Sequence, residues 1–118
     1  MAKVKKQNEQ KQKPIEGLDR VFHEKARLNI LTAIISTQEG VNFKELKDRC
    51  DLTDGNLNRH LKVLTDAKVL KVHKTGRGRS TNSIYFLTDF GRGAFEDYLD
   101  ALEAVVKTAQ GAAKRTSA

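Results

Sequence analysis

Two short apolar stripes at helical spacing, separated by a three-residue break, constrain the fold of this chain more than any other feature. The first stripe consists of Phe43, Leu46 and Cys50, and the second of Leu57, Leu61 and Leu64. Steps of three and four residues predict amphipathic helices, and the break falls at residues 51–53. Two short helices joined by a tight turn form a helix-turn-helix motif.

Capping residues support both helices. Asn42 is a suitable N-cap for a helix over residues 43–50, and Glu45 follows three residues later, as in a capping box. Thr53 can cap the second helix, and Asp54 suits the positive end of its dipole. The second helix is therefore predicted to run from Thr53 to Ala67.

The polar face of this second helix has an unusual composition. Solvated helix faces favour Glu and Lys, whereas this one displays Asn56, Asn58, Arg59 and Lys62. Asn recognises adenine edges in the major groove, and Arg recognises guanine or a phosphate. We therefore interpret the face as a DNA-contacting surface rather than a merely solvated one. His60 is expected at the boundary with the core.

The positive charge of the chain is concentrated in two segments. The net charge is +7: residues 59–79 carry +6 and residues 1–13 carry +4, residues 112–118 add +2, and the segments 14–58 and 80–111 are acidic. A focused basic patch favours a polyanionic partner such as nucleic acid. Residues 1–13 are Lys/Gln-rich and predicted to be disordered, as either a solubilising leader or an arm that contacts the DNA backbone. Residues 111–118 are predicted to be a frayed tail.

A β-hairpin with a basic tip is predicted after the second helix. Its strands lie at residues 69–72 and 84–87, where β-formers are enriched. The tip would be about eight to ten residues long, beyond the usual two to five. Such a loop suits the phosphate backbone or a minor groove. The candidate contacts in it are Lys74, Arg77, Arg79 and Ser80.

Longer helices are predicted at both ends of this region. One continuous helix of about five turns is expected from Leu18 to Thr37, with a stop at Gly40. The other, over 88–110, begins at a Thr88-Asp89 cap. Its apolar stripe extends further than a core this small can bury, so we expect a homodimer. The residues proposed for dimerisation are Leu99, Leu102, Val105 and Val106.

In order, these elements resemble the short winged helix-turn-helix transcriptional regulators of the MarR/ArsR type. The resemblance covers roughly residues 18–106, and its clearest motif is LTDGNLNRHLKVLTDAKVL, a basic hairpin and then LTDFGR. It implies an α+β, mostly helical fold with a three-helix core, a two-stranded wing over 74–81 and a long C-terminal helix. It also implies that Arg27 and Leu28 pack against the domain, and that the last helix pairs with a second subunit. Lys68 departs from the glycine that many relatives have there.

Other classes of function lack their residue patterns. No nucleophile–base arrangement indicates an enzyme, and no cofactor is expected. The three histidines and the single cysteine have no metal-ligand spacing, and one cysteine forms no internal disulfide. Cys50 is interpreted as a buried structural thiol, with a redox switch as the alternative. No apolar run approaches the ~18 residues of a membrane span, and without a signal peptide a cytoplasmic location is expected.

The sequence thus predicts a winged helix-turn-helix domain over residues 14–110 whose C-terminal part mediates dimerisation. The predicted function is that of a transcriptional regulator that binds double-stranded DNA as a homodimer on a pseudo-palindromic operator. The candidate DNA contacts also include Thr53 and Asp54, at the beginning of the second helix. The alternative is a winged-helix module for protein–protein interaction. No small-molecule effector is indicated.

Overall fold

A computed structural model describes residues 18–78 and 82–117 and contains five helices and three strands in these ranges. The three strands form an antiparallel sheet in the order β1-β3-β2. This is the predicted mostly helical winged helix-turn-helix fold. In chain order the elements are α1 (Leu18–Phe22), α2 (Lys25–Ile35), β1 (Val41–Asn42), α3 (Phe43–Cys50), α4 (Asp54–Asp66), β2 (Leu70–Thr75), β3 (Asn82–Leu87) and α5 (Asp89–Ser117).

The helix-turn-helix forms as predicted from its capping residues. Asn42 Oδ1 accepts a hydrogen bond of 2.8 Å from the backbone N–H of Glu45, at the beginning of α3. Thr53 Oγ1 accepts one of 3.2 Å from the N–H of Asn56, at the beginning of α4. Between the two helices, Asp51 turns the chain with a left-handed φ of 55°. Both caps satisfy N–H groups that a helix leaves without an internal partner.

The end of α4 is closed by a left-handed residue that is not glycine. Lys68 has φ of 67°. The N–H of Val69 donates to Leu64 O and the N–H of Lys68 donates to Thr65 O, both at 3.0 Å. This pair of bonds is the Schellman motif, which usually has glycine at the left-handed position. The chain therefore makes this turn with a lysine, in spite of the steric cost of the left-handed conformation.

The single N-terminal helix predicted from Leu18 to Thr37 is wrong, because the chain breaks at His23 and Glu24. Glu24 is extended and caps α2 by accepting a 3.0 Å hydrogen bond from the N–H of Arg27. The side chain of Arg27 turns back, and its Nε donates to Val21 O at 2.7 Å. These contacts satisfy the helix ends that the break creates. The apolar pattern did contain a gap between Phe22 and Leu28, which the prediction had bridged.

The sheet is larger than predicted, and the wing tip is correspondingly shorter. Val41 and Asn42 form β1, a strand that the sequence does not predict, and it pairs with β3 through Val41–Tyr85 and Asn42–Ile84. Strand β2 continues to Thr75 and β3 begins at Asn82, so the connection comprises only residues 76–81. The added pairs join Lys74 to Ser83 and Thr75 to Asn82. Backbone pairing thus extends into polar sequence whose composition alone favoured a loop.

All five helices contribute to one apolar core. The bulky side chains buried most completely include Phe22, Ile30, Leu31, Ile34, Leu46, Leu57, Leu64, Val69 and Phe95. Burying one such side chain stabilises a fold by about 1.5–3 kcal/mol. The rings of Phe22, Phe95 and Tyr98 contact one another and join α1 to α5.

Helix α5 begins at the predicted Thr88 cap but is longer than predicted. Thr88 Oγ1 accepts a 2.8 Å hydrogen bond from the N–H of Gly91 and donates one of 2.7 Å to Lys68 O. The cap therefore also joins α5 to the turn that ends α4. The prediction of a frayed tail over 111–118 is wrong up to Ser117, because α5 continues to that residue. The N-terminal segment 1–13 lies outside the described residues.

Gly91 allows α5 to approach this turn closely, which gives a first prediction. A Cβ at Gly91 would lie 2.1 Å from Val69 O, whereas one at Gly93 would meet no atom within 4 Å. We expect Gly91→Ala to lower the free energy of unfolding by about 1–3 kcal/mol, because backbone must move. Gly93→Ala should raise it by about 0.5–1 kcal/mol, through helix propensity. Urea denaturation measures both, and equal effects of the two variants would contradict the close approach.

Candidate nucleic-acid interface

Helix α4 has one fully buried face and one fully exposed face. Leu57, Leu61 and Leu64 point into the core, with at most 3% of each side chain exposed. The residues predicted to contact DNA are all exposed, both on the helix and at its N-cap. They are Thr53, Asp54, Asn56, Asn58, Arg59 and Lys62. The structure therefore brings these six predicted residues together along one helix, accessible to a partner.

Several of these polar side chains hold one another in place. Arg59 donates a 3.3 Å hydrogen bond to Asn56 Oδ1, and Lys62 forms a 3.2 Å ion pair with Asp66. An arginine held by an amide on the same helix face is partly ordered before any ligand arrives, which lowers the entropic cost of binding.

Sequence reasoning missed one residue of this surface. Lys47 of α3 forms a 2.9 Å ion pair with Asp54, across the turn between the two helices. The Asp54 carboxylate raises the pKa of Lys47. From the sequence, Asp54 was expected only to interact favourably with the helix dipole and to contact DNA. The signal available in the sequence was a lysine in the last turns of one helix and an acid at the beginning of the next.

The wing presents further positive charge. Lys74 at the end of β2 and Arg77 in the connection are both exposed. Lys71 lies with its Nζ 6.0 Å from the centre of the Phe86 ring, within the range of a cation–π contact. Two other predicted wing contacts, Arg79 and Ser80, lie outside the described residues. The described part of the wing thus offers cations on the strand and on the loop.

Arg27 connects the N-terminal helices to α4, as the resemblance implied. Besides its bond to Val21 O, its guanidinium lies 3.4 Å from Arg20 O and 3.3 Å from His60 Nδ1. His60 is 6% exposed, which confirms its expected place at the core boundary. Because a guanidinium only donates hydrogen bonds, His60 Nδ1 must accept, and the imidazole is neutral in this arrangement.

The electrostatic surroundings of His60 agree with a neutral ring. Burial lowers the pKa of His60, and the nearby Arg27 and Arg59 lower it too, while Glu24 acts in the opposite direction. Glu24 has its own pKa lowered, chiefly by the hydrogen bond from the N–H of Arg27. The junction between α1, α2 and α4 therefore depends on a neutral histidine and an ionised glutamate.

The surroundings of Cys50 and the placement of possible metal ligands bear on the remaining functional alternatives. Cys50 is half-buried against the core, and burial raises the pKa of its thiol. A raised pKa disfavours the reactive thiolate. Across residues 18–78 and 82–117, no three His, Cys, Asp or Glu side chains are placed to hold a metal ion. In the same ranges, no helix combines the length and apolarity of a membrane span.

Helix α5 exposes apolar side chains beyond the core. Leu99, Val105 and Val106 are 39%, 63% and 42% exposed, while Leu102 is half-buried and packs against the core. Three of the four residues predicted for dimerisation are therefore accessible, and Leu102 has a role within its own subunit as well.

An exposed polar face on the second helix of a helix-turn-helix, beside a basic wing, defines a DNA-binding protein of the winged-helix class. Comparison with known proteins agrees. Residues 26–106 match the family model described as "Winged helix DNA-binding domain". The chain is 34% identical over 80 residues to an uncharacterized protein of Methanocaldococcus jannaschii, covering 68% of this chain and 86% of that protein.

Solved structures share the fold. A transcriptional regulator homologue from Pyrococcus horikoshii OT3 superposes with a TM-score of 0.69 at 26% identity, covering 76% of this chain and 88% of the other. MepR of S. aureus, in its complex with DNA, gives a TM-score of 0.58 at 18% identity, covering 94% and 92%. The chain belongs to the winged helix DNA-binding domain family. Its family and its fold are those of a DNA-binding domain, and this family is not one of enzymes.

The neutral histidine at the core boundary leads to a second prediction. Since the pKa of His60 is lowered in the fold, the unfolded chain takes up a proton near pH 6.5, whereas the folded chain takes it up only at lower pH. Stability is therefore complete above pH 6.5 and declines as the pH falls below it, with a slope of at most about 1.4 kcal/mol per pH unit. Urea denaturation between pH 7.5 and 5 should show this decline.

The matched control separates His60 from other groups. His60→Phe should remove the decline between pH 7.5 and 5, whereas replacing the exposed His73 with Gln should preserve it. Glu24 contributes only at lower pH, because its lowered pKa keeps it ionised throughout this window. An unchanged pH dependence in His60→Phe would contradict the assignment.

Proposed function

We propose that this protein is a transcriptional regulator that binds double-stranded DNA sequence-specifically, as a homodimer on a pseudo-palindromic operator. The observation that supports this most directly is the division of α4. Its apolar side is completely buried, and its other side offers amides and a guanidinium to a partner. These groups match the hydrogen-bonding edges of base pairs in the major groove.

The candidate contacts divide by chemistry. Asn56, Asn58 and Arg59 suit base edges, while Lys62 and the Thr53 hydroxyl suit phosphates. In the wing, Lys74 and Arg77 would contact the flanking backbone or the minor groove, together with Arg79 and Ser80. Several phosphate contacts per subunit imply that the affinity falls steeply with salt concentration.

The comparisons support this function at the level of the fold. The MepR structure contains DNA, and its fold extends over nearly all of this chain. The Pyrococcus horikoshii protein is described as a transcriptional regulator homologue. In both cases the similarity concerns the architecture that presents the helix and the wing, so base preference must come from the side chains of α4 in this chain.

The proposed dimer rests on the apolar stripe of α5. Leu99, Leu102, Val106 and Ala109 follow one another at steps of three, four and three residues, the spacing of helices that pack against each other. Exposed apolar residues in a row favour a protein partner. A second copy of this chain would bury them and place two copies of α4 in successive major grooves, about 34 Å or a multiple apart.

Base recognition and backbone contact should respond differently to mutation. We expect Arg59→Ala to relax base preference at one position per half-site, at a cost of about 1–3 kcal/mol for the preferred sequence. Arg77→Ala should weaken binding to all duplexes and should lower the slope of log affinity against log salt concentration by the contribution of about one phosphate contact per subunit. Selection of bound duplexes from a random pool, followed by titration at several salt concentrations, measures both effects.

Lys107→Ala is a suitable control, because this exposed lysine pairs with Glu103 far along α5. Its duplex affinity should match that of the wild type. If Arg59→Ala and Arg77→Ala both bind duplexes as the wild type does, the DNA-binding proposal is wrong, and the winged-helix module for protein interaction becomes the better interpretation.

The dimer is tested best at residues without a role in the subunit core. Val105 and Val106 are exposed, so Val105→Glu with Val106→Glu should leave the fold intact while burying two carboxylates in any interface. Analytical ultracentrifugation should show a dimer for the wild type and a monomer for the double variant. Leu102→Glu is less informative, because it also disturbs the core. An unchanged mass in the double variant would exclude this interface.

A further inference from the structure

Helix α4 begins with a carboxylate, which is a costly group on a surface that meets a polyanion. Asp54 is the first residue of the helix, and 68% of its side chain is exposed. Phosphates repel it, so it lowers the affinity for DNA in general. An acid in the first turn stabilises a helix by about 0.3–1 kcal/mol. The helix dipole explains why an acid occupies the first turn, but it does not explain which residue Asp54 pairs with.

The partner of Asp54 belongs to the other helix of the motif. Lys47 Nζ lies 2.9 Å from Asp54 Oδ1, so the ion pair joins α3 to the beginning of α4. An ammonium has three donors, and the pair uses one of them. In helix-turn-helix proteins the first helix crosses the DNA backbone. Lys47 can therefore contact a phosphate while it still holds the carboxylate.

The residue after Asp54 points to close approach by a ligand. A Cβ at Gly55 would meet no atom within 4 Å, so packing within the protein does not require glycine here. Glycine in a helix costs about 1 kcal/mol relative to alanine. A helix end without a side chain at this position can lie close to the floor of the major groove, and the adjacent carboxylate then reaches a base edge.

The chemistry of the carboxylate selects one base. An ionised carboxylate only accepts hydrogen bonds, and Asp54 has a second oxygen besides the one paired with Lys47. Cytosine offers the N4 donor in the major groove, whereas guanine offers two acceptors, thymine offers one, and adenine places an acceptor beside its donor. A carboxylate at this place therefore accepts a hydrogen bond from cytosine and is repelled by the acceptor atoms of the other three bases.

We propose that Asp54 selects a cytosine in each half of the operator and that Lys47 is its positioning residue, holding the carboxylate while it contacts a backbone phosphate. The inference rests on the proposed function, since it assigns a base to one end of α4. Lys47 thereby becomes part of the interface with DNA. Asp54 disfavours operators that have another base at this position. Specificity often depends on such repulsive groups.

The experiment compares full-length variants in selection from a random double-stranded oligonucleotide pool. We expect the wild type to prefer cytosine at one position per half-site, by at least about fivefold. Asp54→Asn should lose this preference and favour adenine there, because an amide pairs with adenine. It should also bind unselected duplexes more tightly. Lys47→Met should reduce both the cytosine preference and the salt dependence, while other positions of the motif keep theirs.

Asp66→Asn is the matched control. Asp66 is also an exposed carboxylate on α4 paired with a lysine, but it lies in the last turn. Its replacement makes the same change in charge and should leave the selected motif unchanged. Urea denaturation of each variant verifies that the fold is retained.

The outcomes distinguish this inference from the function on which it rests. If Asp54→Asn selects the same motif as the wild type, the cytosine assignment is wrong, and the DNA-binding function stands. If Lys47→Met keeps the full cytosine preference, the positioning role is wrong. If the wild type enriches no motif from the pool, the proposed sequence-specific function is itself wrong.

Discussion

Burial of the leucine stripe of α4 is the interaction on which the rest of the structure depends. Leu57, Leu61 and Leu64 all belong to the core, with at most 3% of each side chain exposed. Together they contribute several kcal/mol, at about 1.5–3 kcal/mol for each side chain. Since one face of the helix is committed to the core, the opposite face must point outward. The polar face is accessible as a consequence of packing.

The contacts around α4 then set its orientation. Lys47 holds its beginning, the left-handed Lys68 closes its end, and His60 in its middle accepts from Arg27. Thr88 joins the turn after α4 to α5, the helix that we propose to form the dimer. If α5 packs against a second copy, these contacts transmit the geometry of the dimer to the spacing of the two recognition surfaces.

The sequence was sufficient for most of the structure that depends on local periodicity and capping. Helices α3 and α4 and the caps at Asn42, Thr88 and Thr53 were predicted correctly for this reason. The strand β1 was missed because it exists only through its pairing with β3, a distant part of the chain. The break before α2 was missed although the contacts of Arg27 that stabilise it, with Val21 and Glu24, are local. The composition of α4 indicated its polar face, but only the fold revealed the pairing of Lys47 with Asp54.

We propose that the exposed face of α4 is adapted to DNA at the expense of the fold, and substitution of Gly55 tests this proposal most directly. Gly55→Ala introduces a methyl group into open space, as Gly93→Ala does on α5. Both variants should unfold at higher urea concentrations than the wild type, through helix propensity. We predict that only Gly55→Ala weakens binding to the selected operator, by about tenfold or more, a cost of about 1.4 kcal/mol. Operator affinity equal to that of the wild type in a stabilised Gly55→Ala would contradict the account.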